Sequence, residues 1–290
     1  MSQQGAPSTR NPRRFESGTI PIARPELHLR AVSASHVGLV RSANEDACAI
    51  ADLDRRSTVP GATLTRLDVG ASGVLLAVSD GMGGARDGAV ASAISIDVLV
   101  QTLNEAAPGG DVVSVLEGAV REAHRAVWDA SCRAGHEGHT RMGATMTAAL
   151  IRGQRAALAQ VGDSRAYLLR QGRLTQLTKD QSMVQALIDR GLMRPEDAET
   201  SPFRNILTQA MGHQEAVDVA TSEIDLRDRD CLLLCSDGLT GELSDLEIRD
   251  AVLTSMRLDV AAARLVDLAN ARGGHDNVTI VLAGVGSPVA

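Results

Sequence analysis

Two heptapeptides in this chain nearly repeat each other: Leu75-Leu76-Ala77-Val78-Ser79-Asp80-Gly81 and Leu232-Leu233-Leu234-Cys235-Ser236-Asp237-Gly238. Each is an apolar run that stops at Ser-Asp-Gly. A short apolar run closed by a turn signal reads as a buried strand. The fold must therefore bury two strands and end each on a carboxylate, with a glycine after it to let the backbone turn sharply. Two buried like charges repel and are costly. A divalent cation between them removes that cost, so the pair points to a metal site.

The rest of the core must be aliphatic, because 44% of the residues are hydrophobic but only 1% aromatic. A formal net charge of -7 argues against nucleic acid or an anionic membrane surface as the main partner. No apolar run approaches the ~20 residues of a membrane-spanning helix. Met1 to Arg30 carries arginines without an apolar stretch, so it does not read as a secretory signal. Cys48, Cys132, Cys231 and Cys235 lack CxxC spacing, and Cys231 and Cys235 sit in an apolar run. They read as thiols of a reducing cytoplasm, not as a zinc site.

Along the chain, residues 1–28 are Ser-, Gln-, Pro- and Arg-rich without periodicity, and read as a disordered tail before a domain over 29–290. Alternation from His28 to Val37 predicts a strand, and residues 54–71 a hairpin or irregular connection around Pro60-Gly61. Helices are expected over Ala89–Leu103 and, capped by Asp111, over Val112–Ala134. Strands follow over Ala144–Ile151, Ala156–Val161 and Arg165–Arg170, with Gln171-Gly172 as a hairpin turn. Residues 181–215 form a polar insertion. Strands over Val217–Ile224 and Cys231–Ser236, helices near Ser244–Thr254 and Leu258–Ala271, and a strand over Asn277–Val285 close the chain. Helices come in pairs and strands in runs, which favours an α+β arrangement of stacked sheets with helices outside.

Acidic residues mark strand ends or turns at Asn44-Glu45-Asp46, Asp80-Gly81, Gly162-Asp163-Ser164, Asp237-Gly238 and Asp276-Asn277. Oxygen donors without His or Cys select hard cations such as Mg²⁺ or Mn²⁺. Several carboxylates around one focus suggest two ions ~3.5–4 Å apart, which can activate a water and clamp a phosphoryl group. Arg41, just upstream, suits bidentate recognition of a phosphate.

These residues resemble a known family. Arg41-x-x-Asn44-Glu45-Asp46, Asp80-Gly81-Met82-Gly83-Gly84, Val161-Gly162-Asp163-Ser164-Arg165, Ser236-Asp237-Gly238-Leu239 and Gly274-His275-Asp276-Asn277 are similar, in order, to the motif series of the PP2C (PPM) metal-dependent serine/threonine phosphatases. Met-Gly-Gly after Asp80-Gly81 resembles the bacterial branch. The resemblance implies an α+β fold, a four-layer αββα sandwich of two mainly antiparallel sheets flanked by helices. It implies hydrolysis of phosphoserine and phosphothreonine by direct attack of a metal-bridging water, with Arg41, Asp80 and Asp237 catalytic. Asp80, Asp237 and Asp276 would bind the first ion. Asp80, the Gly81 carbonyl and Asp46 would serve the second, and Asp163 with Asp237 a third. Glu45 and Asn277 would stand behind the ligands, and 181–215 would be a mobile flap. The implied partners are phosphorylated proteins, including a Ser/Thr kinase and its substrates, met in the cytoplasm by a monomer.

Two departures matter. Animal members carry a His two residues after the Asp matching Asp80, where this chain has Met82, which cannot donate a proton. A water on an ion near Asp163 is the expected substitute. Gln181 stands where bacterial relatives commonly have His, and keeps hydrogen bonding without titration.

Each signal has a plainer reading. A lone Ser-Asp-Gly is a turn with a capping Asp, and the joint appearance with Asp46 and Asp276 overturns that. Gly81-Met82-Gly83-Gly84 lacks the Lys-Ser/Thr of a nucleotide loop. His36, His124, His213 and His275 read as structural or solvated, and His136-Glu137-Gly138-His139 as a solvated connection. The competing function is a pseudophosphatase that binds phosphoproteins without turnover. Such a module usually loses a metal Asp, and here Asp46, Asp80, Asp237 and Asp276 are all present.

Overall fold

The computed structural model describes residues 27–286, apart from Glu137, His139, Thr140 and Glu199. The segment expected as a tail thus lies outside the described residues up to residue 26, and so do two members of the His136–His139 cluster. Leu27 is buried and His28 opens the first strand.

The chain begins with β1 (His28–His36), β2 (Ala47–Asp52), β3 (Ser57–Thr58), β4 (Thr65–Asp68), β5 (Val74–Ser79) and the two-residue β6 (Gly81–Met82). Helices α1 (Ala85–Glu105) and α2 (Val112–Arg133) follow, then β7 (Gly143–Ala144), β8 (Met146–Arg152), β9 (Arg155–Val161), β10 (Arg165–Arg170) and β11 (Arg173–Gln176). After α3 (Met183–Asp189) come β12 (Ala220–Asp225), β13 (Cys231–Cys235), α4 (Asp237–Thr240), α5 (Asp245–Leu253), α6 (Leu258–Arg272) and β14 (Val278–Gly286).

Two six-stranded antiparallel sheets result, in the orders β11-β10-β13-β14-β1-β4 and β12-β9-β8-β5-β2-β3. Alternation along each strand explains why they stack. In β5, Val74, Leu76 and Val78 face one apolar cluster, and Leu75 and Ala77 face another. In β13, Leu232 and Leu234 join Leu76 and Val78 between the sheets, while Cys231, Leu233 and Cys235 turn outward. The outward faces are covered by helices: Leu99, Leu116, Val120 and Val127 of α1 and α2 on one side, Ile248, Ala262 and Leu265 of α5 and α6 on the other. Strands buried on both faces read as continuous apolar runs, and this is why the two repeats stood out. The result is the expected αββα sandwich, and β5 and β13 occupy opposite sheets.

Some local expectations need correction. Of the two readings for residues 54–71, the irregular connection holds and the hairpin does not: β3 pairs with β2 in one sheet, and β4 pairs with β1 in the other. The strand expected over Ala144–Ile151 breaks at Thr145. Ala144, with Gly143 before it, pairs with β6, and the strand from Met146 joins the sheet beside β5. The first helix starts at Ala85, four residues before its first expected residue. Its polar opening turn, Arg86-Asp87-Gly88, hid the start from an apolar pattern. Helix α2 behaves as read, with the Asp111 carboxylate accepting from the Ser114 N–H at 2.8 Å. All four cysteines are free thiols, with Cys231 and Cys235 buried and Cys132 exposed.

Candidate metal centre

The strand ends converge as the repeats require. A cavity of about 470 Å³ is lined by Asp80, Asp163, Asp237 and Asp276, with Arg41, Glu45, Gly81, Met82 and Asn277. Asp80 follows β5, Asp163 sits in the turn after β9, Asp237 starts α4 after β13, and Asp276 precedes β14. Both sheets therefore contribute carboxylates to one rim. The glycines allow the close approach: a Cβ at Gly81 would collide with the Gly88 carbonyl, and one at Gly238 with the Asn277 carbonyl.

The Asp80 backbone is fixed by Thr145, whose Oγ1 accepts from the Asp80 N–H at 2.9 Å while its own N–H donates to the Asp80 carbonyl at 2.8 Å. Thr145 Oγ1 also pairs with Ser164 Oγ at 2.7 Å, tying the Asp80 and Asp163 turns together. Sequence reasoning missed Thr145. Its signal was a hydroxyl interrupting the apolar run from Ala144.

Asn277 organises the Arg41–Asp46 loop. Its Oδ1 accepts from the Glu45 N–H at 2.8 Å, and its Nδ2 donates to the Val37 and Ala43 carbonyls at 2.8 and 3.0 Å. Glu45 is buried beside it. Asp46 does not line the cavity itself. One of its oxygens accepts from Ser236 Oγ at 2.8 Å, and the other, Oδ1, is buried with no hydrogen-bond partner.

Electrostatics sharpen the picture. Burial, then repulsion from Asp237, Asp46 and Asp163, holds Asp80 well above the usual carboxylate range. Burial and Asp276 raise Asp237, against its hydrogen bond with Asp80 and the charges of Arg41 and Arg165. Burial, Asp237 and Asp180 push Asp163 up to about 8, although Arg165 opposes them. Asp46 is pushed up to about 6, first by burial, with the neighbouring Thr279 and Ser236 hydroxyls pulling the other way. Asp276 is paired with Arg41, Nη2 to Oδ2, at 2.6 Å.

Crowded acids that raise each other's pKa, one orphaned buried oxygen and an all-oxygen donor set fit a hard divalent cation. Among the described residues, however, no three Asp, Glu, His or Cys side chains are arranged so that they alone could hold an ion. The expected trio Asp80, Asp237 and Asp276 rings the cavity without closing on a point. Asp276 is engaged by Arg41, and Asp80 bonds to Asp237. A cation here would complete its shell with water and backbone oxygen, as Mg²⁺-type ions do.

Gln181 lies at the foot of the 181–215 segment. Its Oε1 accepts from the Gly162 N–H at 2.7 Å and its Nε2 donates to the Asp218 carbonyl at 3.1 Å. It joins the Asp163 turn to the start of that segment and to the chain just past its end. Residues Asn205–Ala210 of the segment line the cavity, as does His213, which sequence reasoning had set aside.

The family model described as Protein phosphatase 2C matches residues 63–271. The chain belongs to the protein phosphatase 2C family. It is 41% identical over 266 residues to the serine/threonine protein phosphatase PstP of Mycobacterium tuberculosis, an alignment covering 91% of this chain and 46% of that protein. The chain therefore spans less than half the length of that relative. It is 35% identical over 212 residues to the serine/threonine phosphatase stp of Listeria welshimeri, covering 72% and 83%. Among solved structures, the catalytic domain of PstP in complex with two manganese ions superposes with a TM-score of 0.74 at 37% identity, covering 90% of this chain and all of that one.

Proposed function

We propose that this chain is a metal-dependent protein serine/threonine phosphatase that hydrolyses phosphoserine and phosphothreonine at a centre of two Mn²⁺ or Mg²⁺ ions. The observation that carries this reading is the single rim onto which both sheets deliver Asp80, Asp163, Asp237 and Asp276 beside the Arg41 guanidinium. Relatives whose names describe serine/threonine phosphatases, one solved with two manganese ions, support it.

In this reading Asp80, Asp237, Asp276 and the Gly81 carbonyl would hold the ions, with Asp46 offering its unpaired Oδ1 and Asp163 serving a third position. When bound, the ions supply an activated water and charge stabilisation at phosphorus. Arg41 exchanges its bond to Asp276 for two bonds to the phosphate, because a guanidinium matches two phosphoryl oxygens at once. Glu45 and Asn277 hold the Arg41–Asp46 loop in place. Segment 181–215 acts as a flap on the cavity, attached through Gln181. We further propose phosphorylated proteins as substrates, a Ser/Thr kinase as the opposing activity, a monomeric state and a cytoplasmic location. Among the described residues no helix is long and apolar enough to cross a membrane.

The test is hydrolysis of a phosphothreonine peptide by the metal-stripped protein, with and without added Mn²⁺. Turnover that appears only with Mn²⁺ supports the reading. Tight peptide binding without turnover under both conditions would favour the phosphoprotein-binding module instead.

A further inference from the structure

The departing serine or threonine oxygen needs a proton, and Met82, in the cavity wall, has none to give. The geometry points to His213 as the donor. This inference rests on the phosphatase reading above.

Two backbone ladders carry His213 to the site. Gly81 pairs with Ala144. Ala144 in turn bridges to Met211 through two bonds, of 2.8 and 3.2 Å. The chain then turns at Gly212, whose φ of +70° and contact with Val127 leave no room for a side chain. The Gly212 N–H is held by the Nδ1 of buried His124 at 3.1 Å. His213 thus leaves a backbone anchored on both the Gly81-Met82 ribbon and α2, and its side chain lines the same cavity as Asp80, Met82 and Asp237. The residue is exposed, and its ring has no hydrogen-bond or ion-pair partner among the described residues. An imidazole carries ring N–H groups that can serve as a general acid. It is free here to meet a substrate oxygen.

The step balances simply. Water attacks phosphorus and forms the new P–O bond, releasing its proton to solvent. The bond from phosphorus to the seryl or threonyl oxygen breaks, its electron pair stays on that oxygen, and the imidazolium N–H proton moves onto it. Free hydroxyl side chain, inorganic phosphate and neutral imidazole result, and the imidazole is reprotonated from solvent.

The experiment compares two substrates with Mn²⁺ present: a phosphothreonine peptide, whose alkoxide must be protonated, and p-nitrophenyl phosphate, whose phenolate leaves without a proton. In His213→Gln the rate on the peptide relative to the rate on the aryl ester should fall about 100-fold, the usual worth of a general acid. An unchanged ratio overturns the inference, whether both rates fall together or neither does. Asp163→Ala is measured alongside. A selective loss there but not in His213→Gln places the proton on a water near Asp163 and also overturns it. If the wild type hydrolyses neither ester, the phosphatase reading itself fails and this inference with it.

Discussion

Asn277 makes three hydrogen bonds to three backbone groups of the loop that carries Arg41, Glu45 and Asp46. Asn277→Ala leaves the Glu45 N–H and the Val37 and Ala43 carbonyls without that partner. Unfolding in urea should show a loss of about 1–3 kcal/mol, the cost of a buried unsatisfied group. A loss within error of zero would show that water replaces the amide freely. Arg41 works differently, since it is half-exposed and bonded to a single acid. Arg41→Ala should lower kcat/KM about 10- to 100-fold, and Arg41→Lys should recover little of it, because a point charge does not reproduce a two-pronged contact. Full recovery by lysine would reduce the role of Arg41 to charge alone. Both residues were legible in the sequence from their place beside Asn44-Glu45-Asp46 and Asp276. Thr145 and His213 were not, because a lone Thr in a strand and a lone His after a glycine have commoner explanations.

At the scale of elements, helix α2 covers one sheet with Leu116, Val120, Ala123 and Val127 and also pins the turn at Gly212 through His124. Burial, helped by the Arg121 and Arg125 charges, lowers the pKa of His124 against the pull of the Glu215 and Gln214 carbonyls. The folded protein therefore keeps this ring neutral while the unfolded chain takes up a proton below its ordinary value of about 6.5. Stability from this group is present above that pH and is lost as pH falls through it. Urea unfolding at pH 7.5 and 5.5 should show a larger drop for the wild type than for His124→Gln. Equal drops would mean that the ring does not report the fold. The periodicity of α2 and its Asp111 cap gave its limits from sequence alone, but its anchoring role was hidden. The partner, Gly212, lies 88 residues away, and only the sandwich brings the two together.

For the molecule as a whole, the layered architecture follows from doubly buried strands. Val74–Ser79 and Cys231–Cys235 could be read as central strands because both their faces are covered. Short pairings at sheet edges, such as β3 and β4, could not, since two to four residues carry no period. The same architecture gathers like charges at one rim, and this should be visible in stability. In metal-free protein at pH 8, Asp80→Asn should raise the thermal midpoint, because a repelled carboxylate is removed. Added Mn²⁺ should raise the midpoint of the wild type but much less that of Asp80→Asn or Asp237→Asn, since a ligand stabilises only a state that binds it. An equal Mn²⁺ shift in all three proteins would place the ion elsewhere.

The most direct measurement is the Mn²⁺ dependence of phosphothreonine-peptide hydrolysis in the wild type, Asp80→Ala and Asp237→Ala. The account predicts metal-dependent turnover in the wild type that falls by at least about 100-fold in each variant, at any Mn²⁺ concentration that saturates the wild type. Turnover that survives in either variant, or that proceeds in the wild type without a divalent cation, would contradict it.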